Sequence, residues 1–219
     1  MKRRDFSLAA VGAAAVAGLP LAAQSQGPVA AVKPVEGKDY LSLDKRVPTD
    51  LGAGKIELIE FFWYSCPHCN SFEPQFAAWV KAAPKDVVVQ RMPVRFRDDF
   101  EAQQRAYYVF ESLNMLDVMH GKLFHAIHNE RLQLNTAQAL AAWAGKNGLP
   151  EQKFLDTYNS FGVSTKARRA TQMQESFKVQ GVPALGIAGR FYTDGSLSQT
   201  MGRALQVAEY LIGEVRRGR

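Results

Sequence analysis

The chain has 219 residues, 47% of them hydrophobic and 22% charged, which gives it a sizeable core and excludes a largely disordered chain. Two cysteines, Cys66 and Cys69, are too few for a disulfide-rich scaffold or a four-cysteine zinc site. The formal charge of +6 permits electrostatic steering but does not imply nucleic acid, and no nucleic-acid partner is expected.

Residues 1–25 read as an address. Lys2, Arg3 and Arg4 precede an apolar and small-residue run from Leu8 to Gly18, Pro20 follows, and Ala23-Gln24-Ser25 offers a cleavage site. This is the three-part layout of a secretory signal peptide, cut near residues 23–25. A retained anchor is the weaker reading, because the run is shorter and less apolar than the roughly 20 residues that span a bilayer. Arg3-Arg4-Asp5-Phe6 partly resembles a twin-arginine signal, so the export route stays open. The mature chain is expected to span no membrane and to work outside the cytoplasm, where disulfides persist.

Residues 26–55, rich in Gly, Pro and Lys, read as an extended lead-in with one short strand. Ile56 to Phe62 is a short β-branched and aromatic run, the mark of a buried strand, with Glu60 out of place in it. Phe72, Phe76, Ala77, Trp79 and Val80 recur at helical spacing from Pro67 to about Ala82, and a second strand starts at Val87 and continues towards Met92. From Asp99 to about Lys178 the pattern is helical, with distinct stretches near 117–129, 135–146 and 151–160. Val182–Ile187 and Arg190–Thr193 read as paired strands, Asp194-Gly195 as a turn, and 200–216 as a last helix. The simplest architecture is one mixed α/β sheet domain, residues 26–98 and 179–219, interrupted by an all-helical insertion, residues 99–178.

The chemistry sits at Cys66-Pro67-His68-Cys69, between a predicted strand and a predicted helix. Two intervening residues on a first helical turn bring the sulfurs within bonding reach. Pro67 suits the first helical position, where its missing N–H costs nothing. Cys66 then meets free backbone N–H groups and the positive end of the helix dipole, both of which stabilise a thiolate. His68 adds to this when protonated or by hydrogen bonding. A structural disulfide here would close a four-residue loop, the least useful length for constraining an unfolded chain. Half a metal site would need two more ligands from His120, His125 and His128, of which the last two share a helical face. The three histidines are better read as helix-surface or core residues. Glu60, six residues before Cys66, is either a proton acceptor beneath the disulfide or a carboxylate at a solvated edge. At Gly181-Val182-Pro183 the residues alone favour a trans turn proline; a cis bond beside the cysteines would instead present backbone groups to an extended peptide.

Glu60-Phe61-Phe62, Cys66-Pro67-His68-Cys69, Phe72-Glu73 and Gly181-Val182-Pro183-Ala184-Leu185 together resemble the DsbA family of periplasmic thiol:disulfide interchange proteins. The resemblance implies a thioredoxin fold with an inserted helical domain. It implies that Cys66 is the exposed nucleophile, Cys69 the buried resolving cysteine, and Cys66–Cys69 a redox-active disulfide. Pro183 becomes the cis proline with Val182 and Gly181 beside it on the substrate side, Glu60 the buried acid, and Glu73 a further acidic position. Arg91 stands where well-known members carry lysine, and Trp63-Tyr64-Ser65 replaces a more uniformly aromatic approach to the cysteine. The implied protein is a periplasmic monomer that oxidises reduced, unfolded exported proteins, is reoxidised by a DsbB-like quinone-linked membrane protein, and uses no metal or organic cofactor. The rival classes are a thioredoxin-fold reductase or isomerase, and a redox-inert peptide-binding chaperone module.

Overall fold

The computed structural model describes residues 33–218, and the predicted leader lies outside them. The short strand expected in the lead-in is β1, Leu41–Ser42. The apolar run becomes β2, Ile56–Phe62, buried at every position. It continues through α1, Pro67–Ala82, into β3, Val87–Pro93, which pairs parallel with β2. On its other side β2 pairs antiparallel with β4, Ala184–Ile187, which in turn pairs with β5, Phe191–Asp194. The sheet order is β1-β5-β4-β2-β3, so β2 is an interior strand, paired on both sides.

β4 starts two residues later than the sequence suggests, because Pro183 has no N–H to give to a ladder. The β4–β5 turn holds Ala188 and Gly189 both at positive φ, as a primed hairpin turn requires. Gly189 admits no side chain: a Cβ there would fall 2.0 Å from the Val47 carbonyl oxygen.

Five helices separate β3 from β4: α2 Glu101–Ser112, α3 Leu116–His128, α4 Ala137–Lys146, α5 Glu151–Tyr158 and α6 Phe161–Ser176. The stretch expected to run unbroken over 151–160 ends at Tyr158. A separate helix then starts, because the Ser160 hydroxyl accepts from the Val163 N–H and caps it. Such a cap is worth about 1 kcal/mol. Thr200 caps the last helix, α7, Met201–Arg216, in the same way.

Strand alternation sorts β2. Ile56 and Leu58 pack with Phe72, Phe76, Leu205 and Leu211 of α1 and α7. Ile59 and Phe61 pack with Phe177 and the helices between β3 and β4. Each such side chain contributes about 1.5–3 kcal/mol on burial. By the same alternation Glu60 points to the side of α1, beneath the helix that carries the cysteines. Among the described residues no helix is long and apolar enough to cross a membrane.

Candidate active site

α1 begins where the strand delivers it. Cys66 is the N-cap residue and Pro67 follows at the first helical position. The Cys66 sulfur accepts from the Cys69 N–H at 3.4 Å. Its own thiol donates to the Val182 carbonyl at 3.4 Å. The two cysteines are unbridged, so this is the reduced pair.

Their environments differ. Hydrogen bonding from the Cys69 thiol, then from the Cys69 and His68 N–H groups, with the charge of His68, outweighs burial and brings the Cys66 pKa down to about 6. At pH 7 that corresponds to about nine-tenths thiolate, against about 3% for an ordinary cysteine. Burial, then the hydrogen bond and charge of Cys66, drives the Cys69 thiol far the other way.

Cys66 is less open than the resemblance implies. It is 7% exposed, against 1% for Cys69, because the Val182–Pro183 segment lies over it. Accessibility comes through its neighbours: Pro67 and His68 are exposed, and His68, Val182 and Pro183 line a groove of about 980 Å³ with Phe177, Leu197 and Met201. The Val182–Pro183 peptide is cis, which replaces the trans turn that the residues alone favour. Gly181 and Val182 are half-buried at the groove wall.

Glu60 is 1% exposed in an interior strand paired on both sides, which removes the solvated-edge reading. Burial pushes its pKa up to about 8; Arg91 opposes this and the Glu73 carboxylate adds to it. Arg91 Nη1 donates to Glu60 Oε2 at 2.9 Å, and the same guanidinium holds Glu73 through both nitrogens. It lies over the Phe76 ring, 5.0 Å from its centroid. Glu73 is held below the usual carboxylate range: burial would raise it, but the His120 and Arg91 side chains beside it win.

The three histidines sit at the helix surface or in the core, as read, and two of them carry specific bonds. His120 Nδ1 lies 2.8 Å from the Tyr64 hydroxyl, and Nε2 lies 2.8 Å from Arg91 Nη1. His128 Nε2 donates to the Tyr64 carbonyl at 2.7 Å. His125 pairs with Glu130 at the surface. Gln103, unmarked in the sequence, accepts from the Ser65 N–H and donates to the Ser65 hydroxyl and the Leu134 carbonyl. Trp63 stacks on Phe100 with ring centroids 3.8 Å apart. Thus Phe100, just before α2, together with α2 and α3 grips the three residues that precede Cys66. The visible signal was the i, i+4, i+8 stripe of His120, Phe124 and His128, a polar–apolar–polar face on one helix. Among the described residues no group of three or more His, Cys, Asp or Glu side chains is placed to hold a metal.

Residues 57–206 match the DSBA-like thioredoxin domain. The chain is similar to the thiol:disulfide interchange protein DsbA of Bordetella parapertussis, 36% identical over 211 residues and 96% of each chain. It is also similar to that of Burkholderia cepacia, 35% identical over 182 residues, 83% of this chain and 86% of the relative. Crystalline Pseudomonas aeruginosa DsbA superposes with a TM-score of 0.80 at 33% identity, over 84% of this chain and 96% of that one.

Proposed function

The chain belongs to the DsbA-like thioredoxin family and is a thiol:disulfide oxidoreductase, and on that premise we propose that it gives its Cys66–Cys69 disulfide to reduced, unfolded exported proteins. The observation that carries this is the asymmetry of the pair, with the Cys66 thiolate stabilised at the helix N-cap and the Cys69 thiolate suppressed. Stabilising the reduced form makes the disulfide a strong oxidant, a rule for which this family is itself the standard example.

A substrate thiolate attacks Cys66 Sγ in the oxidised protein. A mixed disulfide forms, the Cys66–Cys69 bond breaks, and Cys69 leaves with the electron pair and takes a proton. Glu60, buried and pushed towards its neutral form, supplies that proton and accepts it back on reoxidation. A second substrate thiolate attacks the substrate sulfur and expels Cys66 as a thiolate. Substrate has lost two electrons, and the pair has gained them. Pro67 starts the helix and His68 lends charge. Gly181, Val182 and Pro183 present an edge to an extended chain in the groove.

The family resemblance supports the rest of the reading. Residues 1–25 are a cleaved export signal, and the mature monomer works in the periplasm. Residues 26–98 and 179–219 form the thioredoxin-like domain around the 99–178 insertion. A DsbB-like membrane oxidase restores the disulfide. Val182 before the proline, rather than threonine, favours this over an isomerase.

Equilibrating the mature protein with glutathione tests the proposal. A potential more oxidising than about −200 mV is expected, and a value near −270 mV would overturn it.

A further inference from the structure

Three acceptors converge on one nitrogen. Arg91 Nη1 lies 2.9 Å from Glu60 Oε2 and 2.8 Å from His120 Nε2, and it also bonds Glu73 Oε2. That nitrogen carries two hydrogens. A guanidinium can only donate, so His120 Nε2 accepts, and the ring proton sits on Nδ1 and is donated to Tyr64 Oη. The imidazole in this arrangement is neutral.

The arrangement is satisfied while Glu60 is a neutral carboxyl, a weak acceptor. Once Glu60 ionises, its carboxylate and that of Glu73 claim both hydrogens, and Nε2 loses its donor. A proton on Nε2 repairs this, because Glu73 Oε2 stands 3.5 Å away, ready to accept it. Resting on the dithiol-oxidase reading above, we propose that His120 is a charge-balancing positioning residue for the exchange, taking a proton on Nε2 as Glu60 gives its own to the departing Cys69 sulfur, and releasing it when Glu60 is reprotonated.

The balance is complete. In the step that breaks the Cys66–Cys69 bond, one proton moves from Glu60 to Cys69 and one enters His120 from water, equal to the proton the attacking thiol released. Before the step Glu73 and Arg91 are the charged members of the buried set; after it all four of Glu60, Glu73, Arg91 and His120 are charged. Net charge is zero in both, so no uncompensated charge is left in a low-dielectric interior. Water has a way in, since Glu73, Arg91 and His120 line a recess of about 950 Å³.

The groups facing His120 are Glu73 from α1, Arg91 from β3, Tyr64 from the loop after β2 and Tyr107 from α2. At the rim, Lys166 and Arg169 of α6 pair with Glu111 and Asp50. Burial lowers the His120 pKa, with Arg91 acting the same way and Glu73 against it, which keeps the ring neutral at rest.

The test is the rate at which a small dithiol reduces the oxidised mature protein between pH 5 and 9, corrected for the attacking thiolate fraction. Wild type, E60Q, H120Q and the double variant are compared. H120Q keeps a hydrogen-bonding amide but cannot charge. It is expected to slow the reaction about tenfold and flatten its pH profile, and to have no further effect in the E60Q background. A profile parallel to wild type, or a slowing that multiplies with that of E60Q, would overturn the proposal. H120N carries the same comparison if H120Q does not fold. A wild-type potential near thioredoxin's would instead sink the oxidase reading itself; an oxidising potential with superimposed profiles sinks the role of His120 alone.

Discussion

Two recesses of nearly equal size, about 980 and 950 Å³, flank the cysteine helix, and they differ in which groups they place nearest the cysteines. The first is walled by Phe177, Val182, Pro183, Leu197 and Met201, with His68 at its rim. Its apolar walls and strand-like edge suit an extended chain. The second gathers Glu73, Arg91, Tyr107, Glu111, His120 and Lys166. Its groups hold and move charge. The contrast explains how one CxxC motif yields two unlike sulfurs. Cys66 meets the first recess through the Val182 carbonyl, whereas Cys69 is buried, which raises its pKa more than any neighbouring group does. In the proposed exchange, electrons pass on one side of α1 and protons are handled on the other.

Removing each sulfur in turn should separate the two sides most strongly. Cys66→Ser should abolish oxidation of a reduced model protein, because no other thiol faces the groove. Incubated with reduced substrate and oxidised glutathione, Cys69→Ser should instead accumulate mixed disulfides, visible on non-reducing gels, because Cys69 can no longer attack Cys66 Sγ and release the substrate. If Cys69→Ser trapped none and Cys66→Ser trapped many, the two recesses would have exchanged roles.

Glu60→Gln addresses the proton side. Glu60 is held neutral up to about pH 8, mainly by burial, whereas an ordinary glutamate releases its proton near 4.5. Between those values the native protein binds a proton that the unfolded chain has lost. The stabilisation is therefore full below about pH 4.5 and disappears as pH rises through about 8. Urea titrations should show wild-type stability falling relative to Glu60→Gln across this window, by on the order of 3–5 kcal/mol. A constant gap between the two proteins would show that Glu60 is ionised throughout.

The groove side was the more legible of the two in the sequence. Its parts are contiguous: the β2 run, the Cys66–Cys69 motif and Gly181–Pro183 each carry a local signal in apolar pattern, spacing or proline. The proton side is assembled from Glu60 on β2, Tyr64 after it, Glu73 on α1, Arg91 on β3 and His120 on α3, and periodicity within one element cannot show that five elements meet. Arg91 was visible as a departure from lysine, but its sharing between two carboxylates and an imidazole was not. Helical spacing located α3 but could not tell a histidine facing solvent from one facing Arg91. The α5–α6 break escaped for a smaller reason, since Asn159-Ser160 is a weak punctuation that only the Ser160 cap makes decisive. The cover over Cys66 depends on Val182, 116 residues away, and no local pattern announces it.

The grip on Trp63-Tyr64-Ser65 joins the two sides, and Gln103→Ala loosens it. That change leaves the Ser65 N–H and the Leu134 carbonyl without their partner in a buried setting. The expected loss is about 1–3 kcal/mol of stability. If the grip also positions Cys66, Gln103→Ala should slow attack on the oxidised protein while leaving the glutathione equilibrium nearly unchanged. An equal shift in both would mean that Gln103 acts on the energetics of the pair rather than on its placement.

The smallest expected effect belongs to His68, the residue most prominent in the motif. Its side chain is exposed at the groove rim, and its charge is the last of the influences that lower the Cys66 pKa, after the Cys69 thiol and the two backbone N–H groups. Exposed charges act through water and are screened by salt. His68→Ala therefore keeps the helix N-terminus and the Cys69 hydrogen bond, and should move the glutathione equilibrium by less than about tenfold, or about 30 mV, towards a weaker oxidant. The shift should shrink further in 1 M salt. A larger, salt-independent change would mean that the imidazole bonds the thiolate directly in solution, and would transfer much of the control of Cys66 from the buried side of α1 to the groove.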